Sequence, residues 1–168
     1  MAYEEPSYQI VHQEPRFEIR YYDNMLIVQV TYQNESRGFQ KLFQYISGNN
    51  QQDQKIPMTA PVIQYEEQKK RIMQFFLPSQ LSPESIPLPL DKSIKIVTLQ
   101  AGHFAVLQYS GFASDRNFKK KSEILKIELA NSGIEIINPA IKATYNGPFT
   151  PPWMRKNEVL LRVNFKQQ

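Results

Sequence analysis

Few side chains in this chain could do covalent or metal chemistry. The 168 residues hold two histidines, His12 and His103, and no cysteine. That excludes disulfides, zinc thiolates, cysteine nucleophiles and any three-histidine metal site. Six glycines lie scattered, so no glycine-rich phosphate cradle forms, and no Gly-x-Ser-x-Gly elbow is present. The carboxylates stand singly, or as Glu4-Glu5 and Glu66-Glu67 in polar stretches, where a solvated role is expected. With no nucleophile–base pair and no metal-ligand set in view, the chain is expected not to be an enzyme.

Binding chemistry is more visible. Lys55-Ile56-Pro57-Met58-Thr59-Ala60-Pro61-Val62 carries two prolines four apart, which fits a sheet edge, a bulge or the start of a strand. Tyr145-Asn146-Gly147-Pro148-Phe149-Thr150-Pro151-Pro152-Trp153-Met154-Arg155-Lys156 is a loop stiffened by three prolines. It displays Phe149, Trp153 and Met154 ahead of a basic pair. One reading is a hydrophobic lid on the core. The other is a rigid rim for a flat, apolar, anionic ligand, with the basic groups near its carboxylates and the aromatics at its faces. A helix carrying Phe39 and Phe43 one turn apart supports the second reading, and Gly38 inside it points to a close backbone approach.

The elements that must position these residues alternate clearly. Tyr8–His12, Phe17–Tyr22 and Met25–Gln33 read as strands. Asn34 then offers an N-cap, Glu35 suits the first turn, and Phe39, Leu42, Phe43 and Ile46 fall at i, i+3, i+4 and i+7. Gly48 ends this helix. Met58–Tyr65 and Arg71–Leu77 read as a strand pair, and residues 78–91, with four prolines, read as a crossover. Ile94–Leu99 and Phe104–Ser110 are strands. Ser114 caps a second helix with Phe118, Leu125 and Leu129 on one face, stopped at Asn131-Ser132-Gly133. Ile134–Ile137, Ala140–Tyr145 and an alternating run from Val159 to Phe165 complete the pattern.

Strand–helix–strand–strand therefore occurs twice, which predicts an α+β fold with one curved sheet and two packed helices. We expect a single domain over residues 1–168, with halves about 8–77 and 94–166. Hydrophobic residues are 41% and charged residues 21%, which excludes a disordered chain. No apolar run reaches the ~18 residues of a membrane span. A net charge of +4 with scattered basic residues does not call for nucleic acid. No signal peptide is visible at the start, so the expected compartment is cytoplasmic, or periplasmic or secreted if a leader has been removed.

Phe17-Glu18-Ile19-Arg20-Tyr21-Tyr22, Gly38-Phe39 through Tyr45-Ile46-Ser47-Gly48-Asn49-Asn50, Lys55–Val62, Phe75-Phe76-Leu77-Pro78-Ser79 and Arg155-Lys156-Asn157-Glu158-Val159 together resemble the SOUL family of heme-binding proteins. The resemblance implies a distorted β-barrel of two pseudo-repeated βαββ halves with two flanking helices. It implies a tetrapyrrole ligand, heme or a porphyrin, in an apolar groove beside the first helix and the proline-rich loop. The implied contacts are Phe39 and Phe43 on the helix and Tyr145 and Trp153 on the loop. Arg37, Lys41 and Arg155 are neighbours able to meet the propionates. Where one branch of the family is thought to use a histidine for the iron, this chain has Tyr21, whose phenolate could ligate ferric iron. The competing readings are a general binder of hydrophobic small molecules, like the similar gyrase-inhibitor-type domains, and a module that docks a protein partner through Trp153.

Overall fold

The structure, a computed structural model, describes residues 3–137 and 139–166. It divides into two compact units. Of the described residues, one holds 3–6 and 24–100, the other 7–23, 101–137 and 139–166. The first strands of the chain thus fold with its C-terminal part, not with the helix that follows them.

The first unit contains β3 (Met25–Tyr32), α1 (Glu35–Ile46), β4 (Val62–Glu67), β5 (Lys70–Phe76) and β6 (Ile94–Leu99). Its strands run β4-β5-β3-β6, all antiparallel. The second contains β1 (Gln9–Gln13), β2 (Glu18–Tyr22), β7 (Gly102–Tyr109), α2 (Asp115–Asn131), β8 (Glu135–Ile136), β9 (Ile141–Thr144) and β10 (Asn157–Asn164). Its strands run β9-β10-β7-β2-β1, also antiparallel, with β8 beside β10. The two orders are the same once β9, β10, β7 and β2 are set against β4, β5, β3 and β6. The strand beside the one that leads into the helix, β6 or β2, comes last in the first unit and before that strand in the second. The α+β class and the two helices are as expected, and neither unit closes into a barrel by itself.

Both helices begin where a side chain caps them. Asn34 Oδ1 accepts from the Arg37 amide at 3.0 Å, and Ser114 Oγ from the Asn117 amide at 3.2 Å. Each satisfies an orphan N–H of a first turn. Glu35 and Asp115 follow, at the positive end of the helix dipole. Gly48 and Gly133 leave the helices at positive φ, a backbone form glycine takes without penalty.

Each unit has its own core. In the first, Leu42, Tyr45 and Ile46 of α1 pack on Val28, Val30 and Tyr32 of β3 and Met73 and Phe75 of β5. In the second, Leu125 and Leu129 of α2 pack on Ala105, Leu107, Val159 and Leu161. The final strand is buried on both faces from Asn157 to Leu161, not half-buried as its alternation indicated. The strand pair after α1 starts at Val62 rather than Met58, because residues 58–61 run through a proline-interrupted turn.

The close approach expected at Gly38 is there. A Cβ at this position would lie 2.8 Å from Tyr32 Cβ. Tyr32 cannot give way easily, since its hydroxyl accepts from Gln64 Nε2 at 2.9 Å and the Arg71 guanidinium covers its ring at 4.9 Å. Alanine in an exposed helix is worth ~1 kcal/mol over glycine. Here Gly38→Ala is expected to destabilise, by roughly 1–3 kcal/mol of overpacking. Denaturant melts of the two proteins decide the sign.

Candidate functional site

The face that α1 buries is centred on Gly38, Leu42, Tyr45 and Ile46. Phe39 and Phe43 lie on the margin of that face and remain 38% and 47% exposed. Their rings stack at 6.0 Å between centroids and 14° between planes. Phe39 also meets Phe75 of β5 edge-on at 5.2 Å, so the pair rests on the sheet and is fixed from beneath. A flat aromatic step thus faces solvent along the side of the helix.

Its rim is uncharged except at one end. By helical geometry the neighbours of the stripe are Glu35, Ser36, Gln40 and Ser47. Arg37 projects about 140° round the helix from the stripe, at 100° per residue. It thus starts from a different side of α1 than the Phe39–Phe43 pair. Lys41 points further away still and donates to Ser93 Oγ at 3.3 Å. The flanks of the stripe on α1 are therefore mostly uncharged.

The other expected site residues belong to the second unit. Tyr21 of β2 stands opposite His103 of β7 in the antiparallel register, with ring centroids 5.3 Å apart. His103 also packs on Phe165 at 5.7 Å, and His12 on the same ring at 5.6 Å. Among the described residues no hydrogen bond ties the Tyr21 hydroxyl or the His103 ring. The pairing of Tyr21 with a histidine was invisible in the sequence, because it arises only from strand register. No group of three or more His, Asp or Glu residues able to hold a metal is found among the described residues.

The loop residues divide by role. Trp153 is 78% exposed, on a short 3-10 turn at Pro152–Met154. Arg155 is a brace: its Nε donates to Thr150 O at 2.7 Å, an η-nitrogen donates to Pro148 O at 2.9 Å, and its guanidinium lies over Phe112. Tyr145 turns inward, and its hydroxyl donates to Glu158 Oε1 at 2.5 Å.

Glu158 anchors a buried polar network that sequence reading missed. It is 0% exposed and Arg20 is 2% exposed. The two form a bidentate pair at 3.1 and 2.8 Å. Arg20 also donates to Glu18 at 2.8 Å and to the Tyr22 hydroxyl at 2.9 Å, and it stacks on Tyr8 at 4.0 Å. All three guanidinium nitrogens and both carboxylate oxygens are thus engaged, which a buried pair requires. Burial works against the Arg20 charge, but the bonds to Glu158 hold its pKa above the ordinary value. Burial raises Tyr22 to about 12 despite Arg20, and burial together with the Glu158 charge raises Tyr145 further. The available signal was one Arg and one Glu set singly among apolar strand residues, Ile19-Arg20-Tyr21 and Glu158-Val159-Leu160.

Breaking the pair from one side strands the other charge. Glu158→Gln or Arg20→Met is expected to cost about 3–5 kcal/mol, and the double variant less than the sum. The phenols carry a pH consequence. Tyr22, and by burial alone Tyr45 and Tyr109, are held up to about 12 in the fold. Unfolded, they ionise near pH ~10. The stability tied to keeping them neutral is full below pH ~10 and is lost as pH rises through about 12. An absorbance titration should show these phenols ionising late and together with unfolding; early, independent ionisation would contradict their burial.

The family model for SOUL heme-binding proteins matches residues 3–162. Heme-binding protein 2 of Mus musculus is 28% identical over 134 residues, 74% of this chain and 63% of the mouse protein. The chain therefore spans less than two thirds of that relative's length. Among solved structures, the EcmrR C-terminal domain superposes with a TM-score of 0.66 at 11% identity, over 94% of this chain and 98% of that one. The structure of SAV2435 bound to tetraphenylphosphonium superposes at 0.53 and 14% identity, over 94% of both chains. At these identities the structural likenesses speak for the fold alone. The family match, running through both units with little left over, is of another kind: the chain belongs to the SOUL heme-binding protein family.

Proposed function

We propose that this protein is a non-enzymatic tetrapyrrole binder that seats the flat face of heme or a porphyrin on the Phe39–Phe43 step of α1. The observation that carries the reading is that stacked, sheet-backed and half-exposed aromatic pair. Its membership in a heme-binding family supplies the ligand class. We take the two units as one functional SOUL domain, in line with the span of the match.

The chemistry of the seat sets its selectivity. Apolar contact contributes roughly 25 cal/mol per Å² covered, and micromolar binding needs about 8 kcal/mol. Recognition through ring faces does not depend on iron. With Arg37 turned away and Arg155 occupied by loop carbonyls, it does not depend on propionates either. Tyr145 and Arg155 enter as braces of the loop. Iron is not assigned a ligand on α1; Tyr21 as an iron ligand is a separate expectation that the seat does not rest on.

A second reading, binding of lipophilic cations, draws on the tetraphenylphosphonium complex of SAV2435. It is disfavoured by Glu158: this buried carboxylate already holds a guanidinium and has no charge to spare for a ligand.

Titrations of hemin and of iron-free protoporphyrin IX test the proposal. Both should saturate at one equivalent with similar affinity. Phe39→Ala with Phe43→Ala should weaken both at least about tenfold, since the lost contact is apolar area. Arg37→Ala should change neither, and Tyr21→Phe should alter the hemin spectrum alone if it alters anything. Unchanged affinity in the double phenylalanine variant would place the seat elsewhere.

A further inference from the structure

Four exposed apolar side chains of the second unit stand on two loops that are joined to each other. Phe149 is 99% exposed, Trp153 78%, Met154 65% and Phe112 56%. They belong to two loops tied together. The Gly111 amide donates to Pro152 O at 2.9 Å, Asn157 Nδ2 donates to Gly111 O at 2.9 Å, and Arg155 bridges the rest by covering Phe112 while bonding two carbonyls of its own loop. Pro148, Pro151 and Pro152 fix the backbone between these ties. The result is a preorganised projecting knob with little side-chain ordering left for binding to require.

Charge around the knob is one-sided. Residues 110–121 and 142–157 carry seven basic side chains and one acidic, an excess larger than the +4 of the whole chain. The single acid, Asp115, is already paired with Lys142 at 3.0 Å. Arg116, Lys119 and Lys120 are exposed on the first turns of α2, which starts directly after Phe112-Ala113-Ser114. An exposed set of Phe, Trp and Met with cations in the adjoining segments has the composition of an interfacial anchor: aromatic side chains settle at headgroup level and cations meet anionic lipid.

We propose that this knob docks the protein peripherally on an anionic lipid surface, with Phe149, Trp153 and Met154 entering the interface and Arg116, Lys119 and Lys120 contacting headgroups. No described helix is long and apolar enough to cross a membrane, so the contact is with one face of the bilayer. The inference concerns the second unit and stands apart from the porphyrin seat on α1.

Trp153 is the chain's single tryptophan, so its emission reports on the knob without labelling. The full chain, free of tetrapyrrole, is mixed with phosphatidylcholine vesicles with and without phosphatidylserine, and binding is read by co-sedimentation and Trp153 emission. Binding at least about tenfold stronger to the anionic vesicles is expected, given a contribution near 1 kcal/mol for each cation at the surface. Emission should shift to the blue, and lipids brominated along their chains should quench it. Phe149→Ser with Met154→Ser keeps the reporter, alters only exposed positions, and should weaken binding roughly tenfold or more. Lys119→Glu with Lys120→Glu should remove the preference for anionic lipid. No emission shift on anionic vesicles would overturn the proposal. So would binding that ignores the Phe149 and Met154 changes, or knob-dependent self-association in place of vesicle binding.

Discussion

The contact between Gly38 and Tyr32 decides where α1 can lie, and the candidate site follows from it. Tyr32 is held from two sides, by Gln64 and by Arg71, so its ring is a fixed surface. Only a residue without a Cβ lets the helix down onto it. Once there, Leu42, Tyr45 and Ile46 enter the core. The same placement carries Phe39 onto Phe75 and leaves Phe43 stacked beside it at the solvent boundary. A helix held further off would bury less of its apolar face and lose the support beneath the step.

The second unit solves a different problem. It buries an ion pair and satisfies it with two phenols and a second carboxylate. Such a network contributes little net stability against a hydrophobic equivalent but fixes register strictly, because any slip of β2 or β10 strands a charge. Tyr145 belongs to it, and so the root of the proline loop is pinned while its tip projects. Rigidity at the root and exposure at the tip have one cause.

Much of the fold was legible. Asn34, Ser114, Gly48 and Gly133 mark helix ends by side-chain chemistry that acts within a few residues, and the structure places them there. Long-range consequences were less so. The i, i+3, i+4, i+7 pattern grouped Phe39 and Phe43 with Leu42 and Ile46 as one face, but Gly38 and Tyr45 shift the buried centre and leave the phenylalanines at its margin. The inward turn of Tyr145, the bracing role of Arg155 and the Tyr21–His103 pairing depend on which strands and loops become neighbours. The assignment of residues 7–23 to the second unit is of the same kind, since chain order does not reveal which sheet an early strand joins.

The central claim is that a porphyrin lies flat on the Phe39–Phe43 step. Nuclear magnetic resonance of the protein labelled at its phenylalanines, titrated with iron-free protoporphyrin IX, addresses it most directly, because a macrocycle stacked on a ring shifts that ring's resonances strongly. Large shifts at Phe39 and Phe43, smaller ones at Phe75 and none at Phe165 are expected. Shifts confined to Phe112, Phe149 or Phe165, with Phe39 and Phe43 unmoved at saturation, would contradict it.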